Sequence, residues 1–261
     1  MKKLFTRHFR DNLVTTLLFL LAFAAAVLFI MPTVLTISNS FMTEKEITAN
    51  YGAMIDSASA DKKTYISEEL NLKFIPDKVS PQQYISVLFK SPDYLLKFWN
   101  SVILVVPITL FQVVLAAVTA YGFSRYRGRL REIIFFAYII LMLMPYQVTL
   151  VPNYLVSDWL GILGTRWAII LPGIFSPFSV YLLTKVMRRI PKAYYEAARL
   201  DGAGELQIFF QICMPLCRSS MLSVGLLVFI DYWNMVEQPL ILLKDEAQYP
   251  LSVFLSQINT G

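Results

Sequence analysis

The sequence predicts an all-α fold, a polytopic bundle of transmembrane helices, on three observations. Of the 261 residues, 56% are hydrophobic and only 16% are charged, whereas soluble domains carry roughly 25% charged residues. The mean hydropathy is +0.56. Long uncharged runs recur along the chain, and four of them approach or exceed the roughly 18 to 20 residues that cross the hydrocarbon core of a bilayer.

The first run, residues 13–38, follows a short tail, residues 1–12, that is rich in Lys and Arg. Secretory signal peptides also begin with basic residues, but their apolar regions are about 7 to 15 residues long and end before small side chains. Here the run has 26 residues, and the small residues Ala22 to Ala26 lie inside it. The sequence therefore predicts an uncleaved first span that follows a cytoplasmic tail.

A polar segment, residues 39–97, separates the first span from the second. It holds seven basic and eight acidic residues. We predict a polar loop at Asp56 to Lys63 and a short helix at Pro81 to Phe89. The segment has too few apolar residues to bury a core of its own. We expect it to lie on the extracytoplasmic side of the membrane.

Four further spans are predicted at residues 98–124, 133–157, 167–187 and 219–243. An extracytoplasmic end, residues 244–261, follows them. The first span and these four give five visible spans.

Prolines mark bent or polar points in three of these spans, including Pro172 and Pro177 in the span at 167–187. Pro145, beside Gln147, lies inside the span at 133–157. In the last span, Pro239 removes a helix hydrogen bond to Met235, which predicts a kink beside Asn234.

The distribution of Lys and Arg between short segments predicts the orientation. Residues 125–131 hold four basic side chains and residues 185–218 hold six. The alternate segments hold one each, Arg166 and Lys244. Five spans then place the N-terminus in the cytoplasm and the C-terminus outside.

Several classes of chemistry are excluded by composition, and no catalytic residue is expected. The only histidine, His8, lies in the tail, so no base is available to activate a nucleophile. Cys213 and Cys217 are not at metal-ligand spacing, and no metal site is predicted. No Gly-Lys step exists for a phosphate-binding loop. The net charge of +5 comes from short clusters, which argues against nucleic-acid binding.

The cytoplasmic segment at residues 188–218 is too patterned to be a simple connector. Ala193 to Leu200 favours a helix, Gly202 and Gly204 permit a sharp turn, and a second helix is predicted from Glu205 until Pro215 ends it. An amphipathic helix resting on lipid headgroups is one interpretation. The alanines in the first helix favour another, since small side chains permit close approach to a protein groove.

The segment resembles the EAA loop of inner-membrane permease subunits of binding-protein-dependent ABC importers. The residues that carry this resemblance keep the family's spacing: Glu196-Ala197-Ala198, Asp201-Gly202-Ala203, Ile208 and Pro215-Leu216. Three further stretches agree: Trp99-Asn100-Ser101, Tyr121 to Arg127, and Trp233-Asn234 followed by Pro239-Leu240. Among such permeases, the chain is most similar to the carbohydrate type, of the maltose-transporter kind. The resemblance begins near Phe98 and is weak across residues 39–97.

The resemblance implies a multi-pass subunit of the bacterial plasma (inner) membrane, surrounded by lipid and coupled to a cytoplasmic ABC ATPase dimer. It also implies a second homologous permease subunit and an extracytoplasmic solute-binding protein as partners. ATP would bind to the ATPase subunits, and no cofactor is expected on this chain. The residues implied in ATPase coupling are Glu196, Ala197, Ala198, Asp201, Gly202 and Ala203.

The last span suggests a translocation path. On one helix, Asp231, Asn234 and Gln238 would lie within about 60° of each other and form a polar stripe. The same stripe would also suit hydrogen bonds between helices. Trp233 suits either stacking on a sugar ring or anchoring at the membrane interface.

Other function classes are weaker. A proton-driven secondary carrier using Asp231 would leave the patterned cytoplasmic loop unexplained. A membrane-embedded enzyme using Asp231 and Glu237 would have its two carboxylates on different helix faces. Carbohydrate-type permeases usually have six spans, whereas only 18 residues follow Leu243. We therefore expect either a truncated sequence, which we favour, or a naturally short member.

Overall fold

The structure, a computed structural model, describes residues 2–50, 73–90, 92–126 and 128–258. Every regular element in these residues is helical, which confirms the predicted all-α class. Contacts divide the chain into two units, Met1–Pro92 and Asp93–Gly261, and each is described by itself.

The first unit is dominated by one long helix, α1, at Lys2–Ser40. Its part from Val14 to Ser40 is long and apolar enough to cross a membrane, and the large apolar side chains there are exposed. A helix that is apolar and uncovered along its length suits a lipid environment. Pro32 lies inside the helix, and its carbonyl accepts a hydrogen bond from Thr36 Oγ1 at 2.9 Å.

A small folded segment follows α1. It contains helical residues 44–50, helix α2 at Gln82–Ile85 and a π-helical turn at Ser86–Lys90. Met42 is fully buried, and its carbonyl accepts from the Gln83 amide at 3.0 Å. The short helix predicted at Pro81 to Phe89 therefore has its counterpart here. The loop predicted at Asp56 to Lys63 lies outside the described residues.

The second unit contains the remaining helices, joined by short turns. They are α3 Pro92–Arg125, α4 Arg129–Met142, α5 Tyr146–Trp159, α6 Trp167–Gly173, α7 Pro177–Met187, α8 Lys192–Leu200, α9 Glu205–Ile208, α10 Met214–Trp233, α11 Glu237–Leu242 and α12 Leu251–Ile258. A π-helical stretch, Phe209–Cys213, connects α9 to α10.

Helix α3 contributes several buried side chains to the core of this unit. Small residues on its buried face, such as Ala117 and Ala120, permit close approach of neighbouring helices. The buried Gln112 amide donates to Ser179 Oγ on α7 at 2.8 Å. A Cβ atom added to Gly173 of α6 would lie 3.1 Å from Ile108, so this contact requires glycine or a shift of its neighbour.

The span predicted at 133–157 is not a single straight helix. Helices α4 and α5 meet at an angle of 103°. Pro145 stands before α5 in an extended conformation with ψ 143°, because its ring prevents the helix from continuing through this point. The described residues contain four helices that are long and apolar enough to cross a membrane, or up to five if this bent pair is one span.

The span predicted at 219–243 also differs from expectation. Helix α10 ends at Trp233, and α11 begins only at Glu237. The chain is therefore interrupted beside Asn234, where the kink is predicted, but the continuous helix that the prediction assumes is wrong. The Asn234 side-chain amide donates to the Ile230 carbonyl at 2.8 Å and caps the end of α10. Pro239 is buried inside α11.

The predicted helix end at Pro215 is wrong as well. Pro215 is the second residue of α10, which directly follows the π-helical stretch Phe209–Cys213. The π-helical turn before it carries the chain onward without a break, so residues 205–233 run as one helical rod.

Candidate functional site

The residues of the predicted EAA loop form a helical hairpin between α7 and α10, which we call the α8–α9 hairpin. Its turn begins where α8 ends at Leu200. The Ala203 N–H donates to the Ala198 carbonyl at 2.9 Å, and the Gly202 N–H donates to the Arg199 carbonyl at 3.1 Å. These two hydrogen bonds form the Schellman motif of helix termination. This motif places the residue whose N–H makes the shorter-range bond, here Gly202, in the left-handed region. Gly202 has φ +83°, as this pattern requires.

The second glycine of the turn has a different role from the one predicted. Gly204 has φ −74°, a conformation open to any residue, so the sharp reversal depends on Gly202 alone. The Gly204 N–H donates to the Gln207 side-chain oxygen at 3.0 Å. This bond satisfies a backbone donor at the start of α9.

Helix α8 has one buried side and one exposed side. Tyr195 and Ala198 are buried, and the small side chain of Ala198 permits close packing there. Glu196 and Ala197 face outward. Leu200 is 89% exposed at the tip of the hairpin, and sequence reasoning missed it. The spacing in the sequence could have indicated Leu200. It follows Glu196 by four residues and Ala197 by three, which places its side chain on the same face of α8 as theirs.

The remaining predicted coupling residues lie in the turn. Asp201 and Gly202 are exposed, and Ala203 is partly buried. The structure thus brings the predicted residues together in one hairpin, in which Ala198 is buried and Ala203 packs partly buried against the core.

Tyr195 fastens α8 to the rest of the unit. Its ring lies under the guanidinium of Arg125, at 3.6 Å from the ring centroid. Its hydroxyl donates to Cys213 Sγ at 3.8 Å. Burial raises the pKa of the Tyr195 phenol well above its ordinary value, so the side chain is neutral. These contacts attach α8 both to the end of α3 and to the π-helical turn before α10.

Glu205 provides a second attachment. It accepts a hydrogen bond from the Tyr121 hydroxyl of α3 at 2.7 Å and one from Arg199 Nε at 3.1 Å. Arg199 belongs to α8 and Glu205 to α9, so this ion pair joins the two arms of the hairpin. The Tyr121 bond then connects both arms to α3. Sequence reasoning did not assign Tyr121 and Arg125 to the site, although their i, i+4 spacing puts them on one face of α3.

The opposite end of α3 carries a different cluster, which we call the Asn100 latch. The buried Asn100 amide donates to the Ala247 carbonyl at 2.7 Å and to the Tyr249 carbonyl at 3.1 Å. Its side-chain oxygen accepts from Arg166 at 2.8 Å. Ser101 Oγ accepts from the Leu251 N–H at 2.9 Å. The Trp99-Asn100-Ser101 stretch therefore holds the chain between α11 and α12 against α3.

The predicted translocation residues do not form one stripe. Asp231 and Asn234 are exposed at the end of α10, whereas the partly buried Gln238 belongs to the separate helix α11. Trp233 packs against Phe229, with ring centroids 5.2 Å apart. Its other ring neighbour is Phe98 of α3, at 5.7 Å. The break between α10 and α11 separates these polar groups in a way that a continuous helix would not.

No group of three or more His, Cys, Asp or Glu side chains in the described ranges could hold a metal ion. Cys213 and Cys217 are both free thiols buried in the core.

Comparison with known proteins identifies the family. The sequence model described as the binding-protein-dependent transport system inner membrane component matches residues 112–259, more than half of the chain. The chain belongs to this family. The matched part of this inner membrane component contains the α8–α9 hairpin, Tyr121 and the end of α10. The first unit lies outside the match.

Several relatives of this permease component carry carbohydrate names. It is 30% identical to the lactose transport system permease protein LacG of Rhizobium radiobacter, over 68% of this chain and 65% of that protein. It is 31% identical to the polygalacturonan/rhamnogalacturonan transport system permease protein YtcP of Bacillus subtilis, over 92% of this chain and 75% of that protein. The arabinooligosaccharides transport system permease protein AraQ of Bacillus subtilis is 29% identical, over 72% of this chain and 67% of that protein.

A solved structure supports the fold of the component. A crystal structure of a bacterial ABC transporter involved in the import of the acidic polysaccharide alginate aligns with a TM-score of 0.77 at 22% identity. The alignment covers 95% of this chain and 80% of that chain. The chain therefore shares the fold of a chain of that transporter.

Proposed function

We propose that this permease component imports a sugar or oligosaccharide through an ABC importer of the inner membrane. The observation that carries the proposal is the α8–α9 hairpin, with its Schellman turn and exposed tip, in a chain whose relatives are named for carbohydrate transport. The alginate importer that shares its fold is also named for a polysaccharide.

The proposed assembly contains a cytoplasmic ABC ATPase dimer, a second homologous permease and an extracytoplasmic solute-binding protein. ATP binds to the ATPase subunits. The exposed side of the hairpin, formed by Glu196, Ala197 and Leu200, contacts the ATPase. Asp201 and Gly202 shape the turn beside that contact, while Ala198 and Ala203 support it from the inner side. An exposed leucine flanked by a carboxylate suits an apolar pocket with a basic rim.

The proposed orientation places the hairpin and the N-terminus in the cytoplasm. The segments on the side of the hairpin, residues 125–131 and 185–218, are rich in Lys and Arg. The segments on the side of the Asn100 latch are poor in these residues. Residues 39–97 then lie outside, where they are available to the solute-binding protein. The positive-inside rule supports this arrangement.

The hairpin supplies a mechanical connection between ATP hydrolysis and the spans. When the ATPase dimer closes around ATP, it moves the tip of the hairpin. The Arg125 contact with Tyr195 and the Tyr121 bond to Glu205 transmit this movement to α3. The unbroken path from α9 into α10 transmits it along a second helix. The spans then alternate between inward-open and outward-open states.

The far end of α10 is the proposed sugar path. Asp231, Asn234 and Gln238 offer hydrogen-bond partners for hydroxyl groups, and polar side chains at membrane depth mark substrate routes. Trp233 offers an aromatic face to the CH side of a sugar ring.

The test compares charge reversals at matched exposed carboxylates. Tagged wild-type chain, Glu196→Arg and Asp158→Arg are expressed with their native partners and recovered from solubilised membranes. Both positions are exposed, but Asp158 lies at the end of α5, away from the hairpin. We expect the ATPase to accompany the wild type and Asp158→Arg and to be lost from Glu196→Arg. Absence of an ATPase from the wild-type sample, or uptake that continues without ATP, would contradict the proposal.

A further inference from the structure

A cavity of about 520 Å³ lies next to the α8–α9 hairpin, among the end of α3, the start of α4 and the segment between α7 and α8. Its walls carry four basic side chains and one acidic one, Glu132. The basic side chains are Arg125, Arg131, Arg188 and Lys192. The coupling mechanism proposed above uses only Arg125, as a support for Tyr195.

Aromatic rings hold three of these guanidinium groups in place. Arg125 lies 3.6 Å from the centroid of Tyr195, Arg131 4.7 Å from that of Tyr126, and Arg188 4.8 Å from that of Phe135. Stacking orients a guanidinium while its in-plane N–H groups can still bind an acceptor. One Arg188 N–H already donates to the Phe123 carbonyl at 3.4 Å. The cavity is therefore preorganised for an anion.

The positive charges of the cavity exceed the negative ones in the described part of the chain, where Glu132 lies in the cavity wall and Glu205 interacts electrostatically with Arg125. None of the four basic side chains forms an ion pair with a carboxylate there. Arg125 Nε is buried and has no hydrogen-bond partner among the described residues. A buried donor without an acceptor costs free energy, and an incoming anion would supply the acceptor.

The hydrogen-bond donors in the cavity wall indicate which kind of anion the cavity binds. Guanidinium groups bind phosphate oxygens in bidentate fashion, and Lys adds a point charge. The cavity lies where the candidate spans α3 and α7 end, at Arg125 and Met187, which is the depth of lipid headgroups. Met187 and Ile190 in its wall suit the glycerol and upper acyl region of a lipid.

We propose that this cavity binds the phosphate group of an anionic phospholipid from the leaflet beside the α8–α9 hairpin. The inference rests on the proposed orientation, in which that leaflet is cytoplasmic. Basic pockets between transmembrane helices on this side of a membrane are suited to anionic headgroups. Because Arg125 also supports Tyr195, a bound phosphate stabilises the base of the hairpin from beneath.

The experiment measures phospholipid retention by the assembled transporter in native mass spectrometry. The probes are phosphatidylglycerol and the zwitterionic phosphatidylcholine. The variant Arg131→Gln combined with Arg188→Gln removes two cavity charges and leaves Arg125 and Lys192. Arg189→Gln is the matched control, because Arg189 is exposed next to Arg188 but does not line the cavity. We expect the double variant to bind phosphatidylglycerol about tenfold or more weakly, since each basic group near an anionic headgroup contributes about fivefold.

Five outcomes bear on the proposal. Selective retention of phosphatidylglycerol by the wild type and Arg189→Gln supports it, as does recovery of binding in Arg131→Lys combined with Arg188→Lys. Equal retention by the double Gln variant, or equal retention of phosphatidylcholine, overturns it. Binding of inorganic phosphate without any retained phosphatidylglycerol also overturns it and identifies a soluble anion as the occupant. ATPase recovery is read in the same samples, so failure of the lipid site and failure of the importer assignment are distinguishable.

Discussion

Gly202 determines the geometry of the α8–α9 hairpin through its backbone alone. Its φ of +83° lies in the left-handed region, and a Cβ atom added there would meet nothing within 4 Å. A substitution is therefore opposed by backbone strain and not by crowding. Gly204, two residues later, has equally open surroundings but an ordinary φ of −74°. Substitutions at these two glycines can therefore be compared to separate the effect of backbone strain from the effect of an added side chain.

We predict that Gly202→Ala weakens the Schellman turn by about 1 to 2 kcal/mol. Gly204→Ala should be close to neutral. The strained turn would present the hairpin tip in more than one orientation, so ATP-driven uptake should fall in Gly202→Ala while membrane insertion is retained. Uptake and substrate-stimulated ATPase activity are measured in reconstituted transporters. Equal uptake by the two variants would show that the left-handed turn is not needed for coupling.

At the scale of elements, the hairpin is attached to α3 at two points of unequal chemistry. The Tyr195 contact is buried and aromatic, whereas Glu205 and Arg199 are each partly exposed. An exposed ion pair contributes about 0 to 1 kcal/mol, so the Arg199 bond orients the arms and adds little stability. The hydrogen bond from the hydroxyl of the buried Tyr121 to the Glu205 carboxylate is the stronger part of this attachment.

We predict that Tyr121→Phe reduces the stability of hairpin docking by about 1 kcal/mol, because it removes one charge-assisted hydrogen bond and keeps the ring. Tyr126→Phe is the matched control on the same helix end, where the Tyr126 side chain is exposed. Hydrogen exchange of α8 amides in the assembled transporter gives the measurement. Faster exchange is expected in Tyr121→Phe only. If Glu205→Gln and Tyr121→Phe have strictly additive effects, the two side chains do not act as a pair.

Sequence reasoning located the helical elements better than their breaks. Long apolar runs are sufficient to indicate a span, because the bilayer requires about 20 such residues. The 103° bend before Tyr146 and the end of α10 at Trp233 depend on local capping, and a proline alone does not say whether a helix bends, ends or begins. Pro145 precedes a helix, whereas Pro215 lies within the first turn of one.

The candidate site was predictable only in part for a similar reason. The motif identified the turn, including Gly202, but it could not show that Ala198 faces inward and Leu200 outward. The partners of the hairpin lie far away in the sequence, Tyr121 84 residues before Glu205 and Arg125 70 residues before Tyr195. Contacts of that separation are set by packing between helices, which a pattern within one segment does not contain.

At the scale of the whole molecule, α3 joins the two functional ends of the second unit. One end of this helix supports the hairpin through Tyr121 and Arg125, and the other carries the Asn100 latch. The latch holds the turn after α11, close to the proposed sugar path. A helix attached at both ends transmits displacement along its axis, since its backbone hydrogen bonds resist stretching.

We predict that loss of the latch impairs uptake without loss of the ATPase. Asn100→Asp keeps an acceptor for Arg166 but removes both donations to the carbonyls of the exposed Ala247 and the partly buried Tyr249, a loss of about 1 kcal/mol for each hydrogen bond. Asn100→Ala additionally leaves the partly buried Arg166 without this partner, so it should be the more damaging change.

ATPase recovery should match the wild type in both Asn100 variants, because the hairpin is unchanged. Sugar uptake and thermal unfolding of the reconstituted transporter provide the measurements. If Asn100→Asp transports as well as the wild type, the two donated bonds are dispensable and α3 alone does not connect the hairpin to the path.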